Sequence, residues 1–272
     1  MLSVIITSAM WSLITPTLYK RVMKEYVGSK VVIITTNRFL TAEQGGGGTG
    51  FHVVAPSGKT YIMTNRHVCN GADKDGRLWV QVLGRTAAHH NKVIAMSDSF
   101  DLCLVEPIAG IVGLDLGPSP SLGEDAIYVG HPRLQPRTYD AGEVVGSQPI
   151  TINAGVIGKE ITEAQCKTKD SIIVEVPELF LLLKQIQNGS FESRDFTAIN
   201  EHPAFKNAKK VRVCQQRNKA MVMTLMIYAG ASGSPVVNSI GQVIGVVYAA
   251  PETGGWGYAV TMADVRTILN GR

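Results

Sequence analysis

From residue 30 onward, apolar residues come in short runs or alternate with polar ones between clusters of Gly, Pro, Asn and Ser. A period of two puts successive side chains on opposite faces of a strand. Strands are therefore expected at Val31–Thr35, Phe51–Ala55, Tyr61–Thr64, Trp79–Leu83, Lys92–Ala95, Leu102–Glu106, Ala126–Val129 and Gly142–Val145. Further ones are expected at Met221–Met226, Pro235–Asn238, Val243–Tyr248 and Gly257–Val260. Many short strands between regular turn signals predict an all-β sandwich or barrel. Pro118, Ser119, Pro120, Ser121 and Gly123 form a linker that divides the strands into two groups. Two stretches read as helix instead. One is Val176–Gln187, closed by the turn Asn188-Gly189. The other is Met262–Leu269, where Val265, Ile268 and Leu269 share a face and Thr261–Asp264 resembles a capping box.

Composition narrows the class. Hydrophobic residues make up 45% and charged residues 18% of the 272, which is enough for a packed core and unlike a disordered chain. A net charge of +4 does not mark a nucleic-acid binder. Six basic residues nevertheless crowd 205–220 with no acid among them (Lys206, Lys209, Lys210, Arg212, Arg217 and Lys219). This run is either a solvated surface or a docking patch for an acidic partner or anionic lipid. Residues 1–19 carry no charge, and Lys20, Arg21 and Lys24 follow. Three readings fit them: a membrane anchor, a helix packed on the domain, or a signal peptide. An anchor with these flanks would leave the main domain in the cytoplasm, and a cytoplasmic or membrane-associated location is expected over a secreted one. Of the four cysteines, Cys69 and Cys103 read as buried thiols. Cys166 and Cys214 can pair if the compartment oxidises them.

Three motifs carry chemistry. Thr64-Asn65-Arg66-His67-Val68-Cys69 follows a strand, Asp101 opens another, and Gly230-Ala231-Ser232-Gly233-Ser234-Pro235 is a glycine-rich turn. A serine hydroxyl is a weak nucleophile unless a base sits beside it. It also needs backbone N–H groups aimed at the oxyanion that forms. Gly230 and Gly233 give Ser232 a turn without Cβ obstruction, and the N–H groups of Gly230 and Ser232 can converge on one point. His67 is the candidate base. Asp101 is the candidate partner that fixes its tautomer, with Asp98 a nearby rival. Each motif alone is weak. Their order, His, Asp, Ser, is much more specific.

The chain resembles the trypsin-like (chymotrypsin-fold) serine peptidases, in the style of the HtrA branch. The resemblance rests on Gly48-Thr49-Gly50-Phe51, Met63–Val68, Asp101–Leu104, Gly130-His131-Pro132, Gly230–Pro235, Gly241–Gly245 and Trp256–Val260. It implies two six-stranded β-barrels, the first over 28–117 and the second over 118–272, after an apolar segment at 1–27. It implies His67 as general base, Asp101 as its orienter, Ser232 as nucleophile, and Gly230 and Ser232 as the oxyanion hole. It puts Met226, six residues before the nucleophile, on the floor of the specificity pocket. With no acid there, a small or medium apolar residue is expected before the scissile bond. Val247, Tyr248 and Ala249 lie on the strand expected to pair with substrate backbone.

The chemistry so implied needs no metal or cofactor. The expected partner is a protein or peptide substrate, with no specific nucleic acid. Residues 153–218 depart from the family pattern as a partly helical insertion in the second barrel, expected to be a lid, a docking surface for a regulatory partner or a self-processing segment. Only 40 residues follow Ser232, too few for a PDZ domain. The alternative is a binding or scaffold module on the same fold, its site closed and a partner held by the insertion.

Overall fold

The computed structural model describes residues 23–36, 47–82, 87–97, 99–132, 138–156, 171–175, 210–249, 255–270 and 272. Residues 1–22, the helix expected at Val176–Gln187, Asp98 and Cys166 lie outside them, as do the side chains of 210–218, Cys214 included. The chain forms two compact units, Met1–Gly146 with Met221–Arg272, and Ser147–Ala220.

In the first unit, residues 23–28 are helical and lead into six strands. These are β1 (Val31–Thr35), β2 (Gly47–Val54), β3 (Thr60–Thr64), β4 (Arg77–Gln81), β5 (Ala88–Met96) and β6 (Cys103–Val105). They close a barrel in the order β1-β2-β3-β6-β5-β4, with neighbours antiparallel. Phe51 faces Met63 across β2 and β3, and Ile34 faces Val80 where β1 meets β4. The core holds Val32, Ile34, Ile62, Leu78, Val80 and Val105. Burying side chains of this size contributes about 1.5–3 kcal/mol each. His52 is buried among them, yet both of its ring nitrogens are used. Nδ1 meets the Lys30 carbonyl at 2.9 Å, and Nε2 accepts the Ile108 N–H at 3.1 Å.

Residues 114–116 run between the barrels, Leu114 bridging to Val53 and Leu116 to Val243. The second barrel uses β7 (Asp125–Gly130), β8 (Thr138–Val156), β10 (Lys210–Met223), β11 (Pro235–Val237), β12 (Val243–Ala249) and β13 (Gly257–Val260). Their order is β13-β12-β11-β7-β8-β10, and β10 pairs with β13 to close it. Its core gathers Tyr128, Met223, Leu225, Val236, Ile244 and Val247. Helix α2 (Met262–Leu269) ends the chain and buries Met262, Val265, Ile268 and Leu269. Its expected capping box does not form. The Thr261 hydroxyl donates to the Asp264 carboxylate at 2.9 Å and makes no capping bond to the helix backbone.

The described residues of the 153–218 insertion are strand, and its expected helix lies outside them. β8 ends at Val156, β10 begins at Lys210, and β9 (Ser171–Glu175) pairs with β10, Val211 in register with Val174. No strand was expected at β9. Among the described residues, no helix is long and apolar enough to cross a membrane.

Candidate active site

The site grows from the ends of β3 and β6. After Thr64 the chain turns into one helical turn, α1 (Arg66–Cys69), which presents His67. Asp101 precedes β6 and receives two bonds from His67. Its Oδ2 lies 2.7 Å from Nδ1, and its Oδ1 accepts the backbone N–H at 3.0 Å. The two residues are further fixed from behind. Asn65 Nδ2 donates to the Asp101 carbonyl at 2.9 Å, and Arg66 donates to the Ser97 carbonyl at 2.9 Å.

Cys69 and Cys103 are not free thiols. They form a disulfide spanning 34 residues of chain. Each cysteine stands two positions after His67 or Asp101, so the bond staples the two segments that carry the pair.

The His67 side chain keeps 43% of its surface open and Asp101 only 11%. Crowding on the inner side of the imidazole opposes its charge, but the Asp101 carboxylate and the hydrogen bond outweigh that, and the His67 pKa is raised. Desolvation likewise opposes the Asp101 charge, and His67 and Arg66 overcome it, so the Asp101 pKa is lowered.

Ser232 arrives from the second barrel on two consecutive turns. The first closes through Ala231 N–H to Tyr228 O at 3.0 Å, with Gly230 at φ 87°. The second closes through Ser234 N–H to Ala231 O at 2.9 Å, with Gly233 at φ 85°. A positive φ at the third position is what a type II turn requires, and glycine adopts it without a steric cost. Gly233 is doubly constrained, since a Cβ there would overlap Thr49 O and Thr64 Oγ1. The turns consume the N–H groups of Ala231 and Ser234, and Gly233 N–H goes to Val247 O at 2.8 Å. Among the described residues, the N–H groups of Gly230 and Ser232 have no acceptor. Two unpaired donors and a serine thus stand together in one loop.

Thr49 on β2 joins this loop to the first barrel, a role that sequence reasoning did not assign to it. Its N–H donates to Ser232 O at 2.8 Å and its hydroxyl donates to Gly230 O at 2.9 Å. The same hydroxyl accepts the His131 N–H at 2.9 Å, and Thr64 Oγ1 donates to the Thr49 carbonyl at 2.7 Å. Beside it, a Cβ on Gly48 would lie 2.7 Å from Val68 Cγ2 and 2.9 Å from Ser232 O. Val68 follows His67 directly, so the Ser232 loop and the His67 turn lie on either side of one glycine. The only sequence trace of this bridge is the Gly48-Thr49-Gly50 triplet.

The expected substrate residues behave less uniformly. Val247 does not offer its backbone to a substrate, because its N–H bonds Ser234 O and its carbonyl accepts from Gly233. The strand edge on that side begins only at Tyr248 and Ala249, where the register against β13 shifts. Tyr248 is buried, and its hydroxyl has no hydrogen-bond partner among the described residues. Burial and the Asp101 charge raise its pKa.

Met226 is not a buried floor. Its side chain is 55% exposed, and its N–H donates to Asp140 Oδ2 at 2.8 Å. The other Asp140 oxygen accepts the Ala141 N–H at 2.9 Å. This segment lies beyond the end of β10, and burial alternates along it. Leu225 is buried, Met226 exposed, Ile227 half-buried against the core and Tyr228 exposed.

Comparison with known proteins bears on the family resemblance and the fold. Residues 48–174 match the trypsin-like peptidase domain family. No curated protein matches by sequence. Among solved structures, the active form of the Rv3671c protease of M. tuberculosis is 17% identical and superposes at TM-score 0.59, covering 93% of this chain and 85% of that one. Its inactive form is 16% identical, with TM-score 0.55 and 93% of both chains covered. A serine endoprotease of Yersinia pestis is 15% identical, with TM-score 0.56, covering 94% of this chain and 66% of that one. At these identities the structures speak for the fold: two six-stranded barrels of the chymotrypsin type.

Proposed function

We propose, from the match of residues 48–174 to the trypsin-like peptidase domain family, that the chain is a serine peptidase that cleaves peptide bonds through Ser232, His67 and Asp101. The observation that carries this reading is the 2.7 Å pairing of His67 Nδ1 with Asp101, on a turn that meets the Ser232 loop across Gly48, a loop that leaves two N–H donors open. The carboxylate keeps the proton on Nδ1, which leaves Nε2 as the base. Ser232 Oγ attacks the scissile carbonyl carbon as its proton passes to Nε2. The carbonyl oxygen takes the negative charge and is held by Gly230 N–H and Ser232 N–H. The C–N bond then breaks, and the leaving amine takes the proton from His67. Water repeats the sequence on the ester and frees Ser232. The substrate strand lies along Tyr248–Ala249, with a small or medium apolar side chain before the scissile bond.

The disulfide supports an oxidising compartment. Such bonds persist where thiols are oxidised, so Cys69–Cys103 favours an oxidising compartment over the cytoplasmic one expected from the N-terminal charges. Peptidase assays on the purified chain test the catalytic reading. Ser232→Ala and His67→Ala are each expected to lower turnover by several orders of magnitude. Full activity in either variant would remove the proposed roles.

A further inference from the structure

We infer that Asn65 is a positioning residue for the reaction: it holds Asp101 by its main chain and leaves the His67 N–H to the Asp101 carboxylate. The inference rests on the peptidase reading above and deepens it. Asn65 stands in the N-cap position of α1, with extended backbone at φ −80° and ψ 152°. Asparagine is among the residues preferred there, because its side-chain oxygen accepts an N–H two or three positions on. Asn65 makes no such bond. One of the two N–H groups that a capping oxygen could take is that of His67. This group donates instead to Asp101 Oδ1 at 3.0 Å. A carboxylate 34 positions along the chain therefore caps the turn in place of the local side chain.

Asn65 turns its amide the other way. Nδ2 donates to the Asp101 main-chain carbonyl at 2.9 Å. A carbonyl can only accept, so the group that faces it is the NH2 and not the oxygen. Oδ1 is left buried, with no hydrogen-bond partner among the described residues, in a residue with no exposed surface. A buried acceptor without a donor is destabilising, and such a group in a folded protein calls for a reason. Rotating the amide to cap α1 would satisfy the oxygen. It would also release the Asp101 carbonyl and set two oxygens against each other for the His67 N–H. Asp101 would then keep only the bond from Oδ2 to Nδ1, about which its carboxylate can turn. As it stands, the carboxylate is bound at both oxygens by one residue and at its carbonyl by another. The unsatisfied oxygen is what this three-point hold leaves behind.

The test compares Asn65→Ser and Asn65→Ala with wild type. Both lose the amide donor to Asp101, and serine restores a capping oxygen. On one peptide substrate, kcat is expected to fall by about 10- to 100-fold in both, the effect of a small misplacement at a reacting site. KM should stay nearly unchanged, as for an interaction that acts in the transition state. In denaturant, Asn65→Ser should be the more stable of the two and yet no more active. NMR titration of the His67 imidazole, which needs no turnover, is expected to give a lower pKa in both variants, because the Asp101 carboxylate that raises it is held less well. Arg66, the other charge acting on Asp101, is present in all three proteins. An unmoved His67 titration in folded Asn65→Ser would overturn the inference. So would wild-type kcat in either variant, or turnover that simply follows stability across the three proteins. Folded wild type that neither cleaves peptides nor takes a fluorophosphonate label removes the peptidase reading, and the His67 titration then still decides whether Asn65 positions the pair.

Discussion

Asp101→Asn is the most instructive single change, because the structure says which atom will be wrong. The carboxylate accepts two bonds from the same residue, His67 N–H at 3.0 Å and His67 Nδ1 at 2.7 Å. An amide has one oxygen and one NH2 group, so it cannot accept both. If its oxygen keeps the backbone N–H, its NH2 faces Nδ1. The ring must then accept there and carry its proton on Nε2, where the base is needed. Loss of the correct tautomer in another triad lowers kcat about 10⁴-fold, equivalent to about 5.4 kcal/mol of transition-state stabilisation.

The pH profile gives a second signature of the same change. The acid limb of kcat/KM reports the imidazole in the free enzyme, and the raised His67 pKa places it above 6.5 in wild type. Without the carboxylate charge the limb moves to lower pH. The assay is kcat/KM between pH 5 and 9 for wild type and Asp101→Asn on one peptide. Activity within about tenfold of wild type, or an unmoved limb, would refute the tautomer argument.

Other outcomes follow from single contacts. Thr49→Val deletes the hydroxyl that links Gly230 O to His131 N–H. Denaturant titration should show a loss of about 2–4 kcal/mol, from two buried groups left unpaired. Reduction of Cys69–Cys103, or Cys103→Ser, releases a 34-residue separation. The chain-entropy relation gives about 4 kcal/mol of lost stability, readable as a fall in denaturation midpoint after dithiothreitol. His67 should stabilise the fold in a pH-dependent way. Its folded pKa is raised, so its contribution is complete below about 6.5 and is lost as pH rises through the folded pKa. The stability gap between wild type and His67→Ala should therefore be wider at pH 5.5 than at pH 9, and a gap that widens with pH would contradict the pairing.

The strands were legible because the code for them is local. The short apolar runs at Val31–Thr35, Thr60–Thr64 and Gly257–Val260 need only neighbours in the chain. The spatial meeting of His67 and Asp101 was inferred from motif order and the family resemblance. What stayed hidden depends on contacts between distant residues. Cys69 and Cys103 looked like two buried thiols, since nothing in either segment reports the other. Asp140 reaches the Met226 N–H across 86 positions, and that bond helps decide that Met226 points out and Ile227 in. Val247 looked like a free strand edge until Gly233 and Ser234 took both of its backbone groups. Thr261 misled in a smaller way, since its hydroxyl chose the Asp264 side chain over the helix backbone.

The central claim is that Ser232 is an activated nucleophile beside a working base. Fluorophosphonate labelling of the intact chain, with the modified residue mapped by mass spectrometry, asks that question with no assumption about substrate. The account predicts one adduct on Ser232, absent in Ser232→Ala and greatly slowed in His67→Ala. Folded wild-type protein that takes no label, or takes it on a different serine, would contradict it.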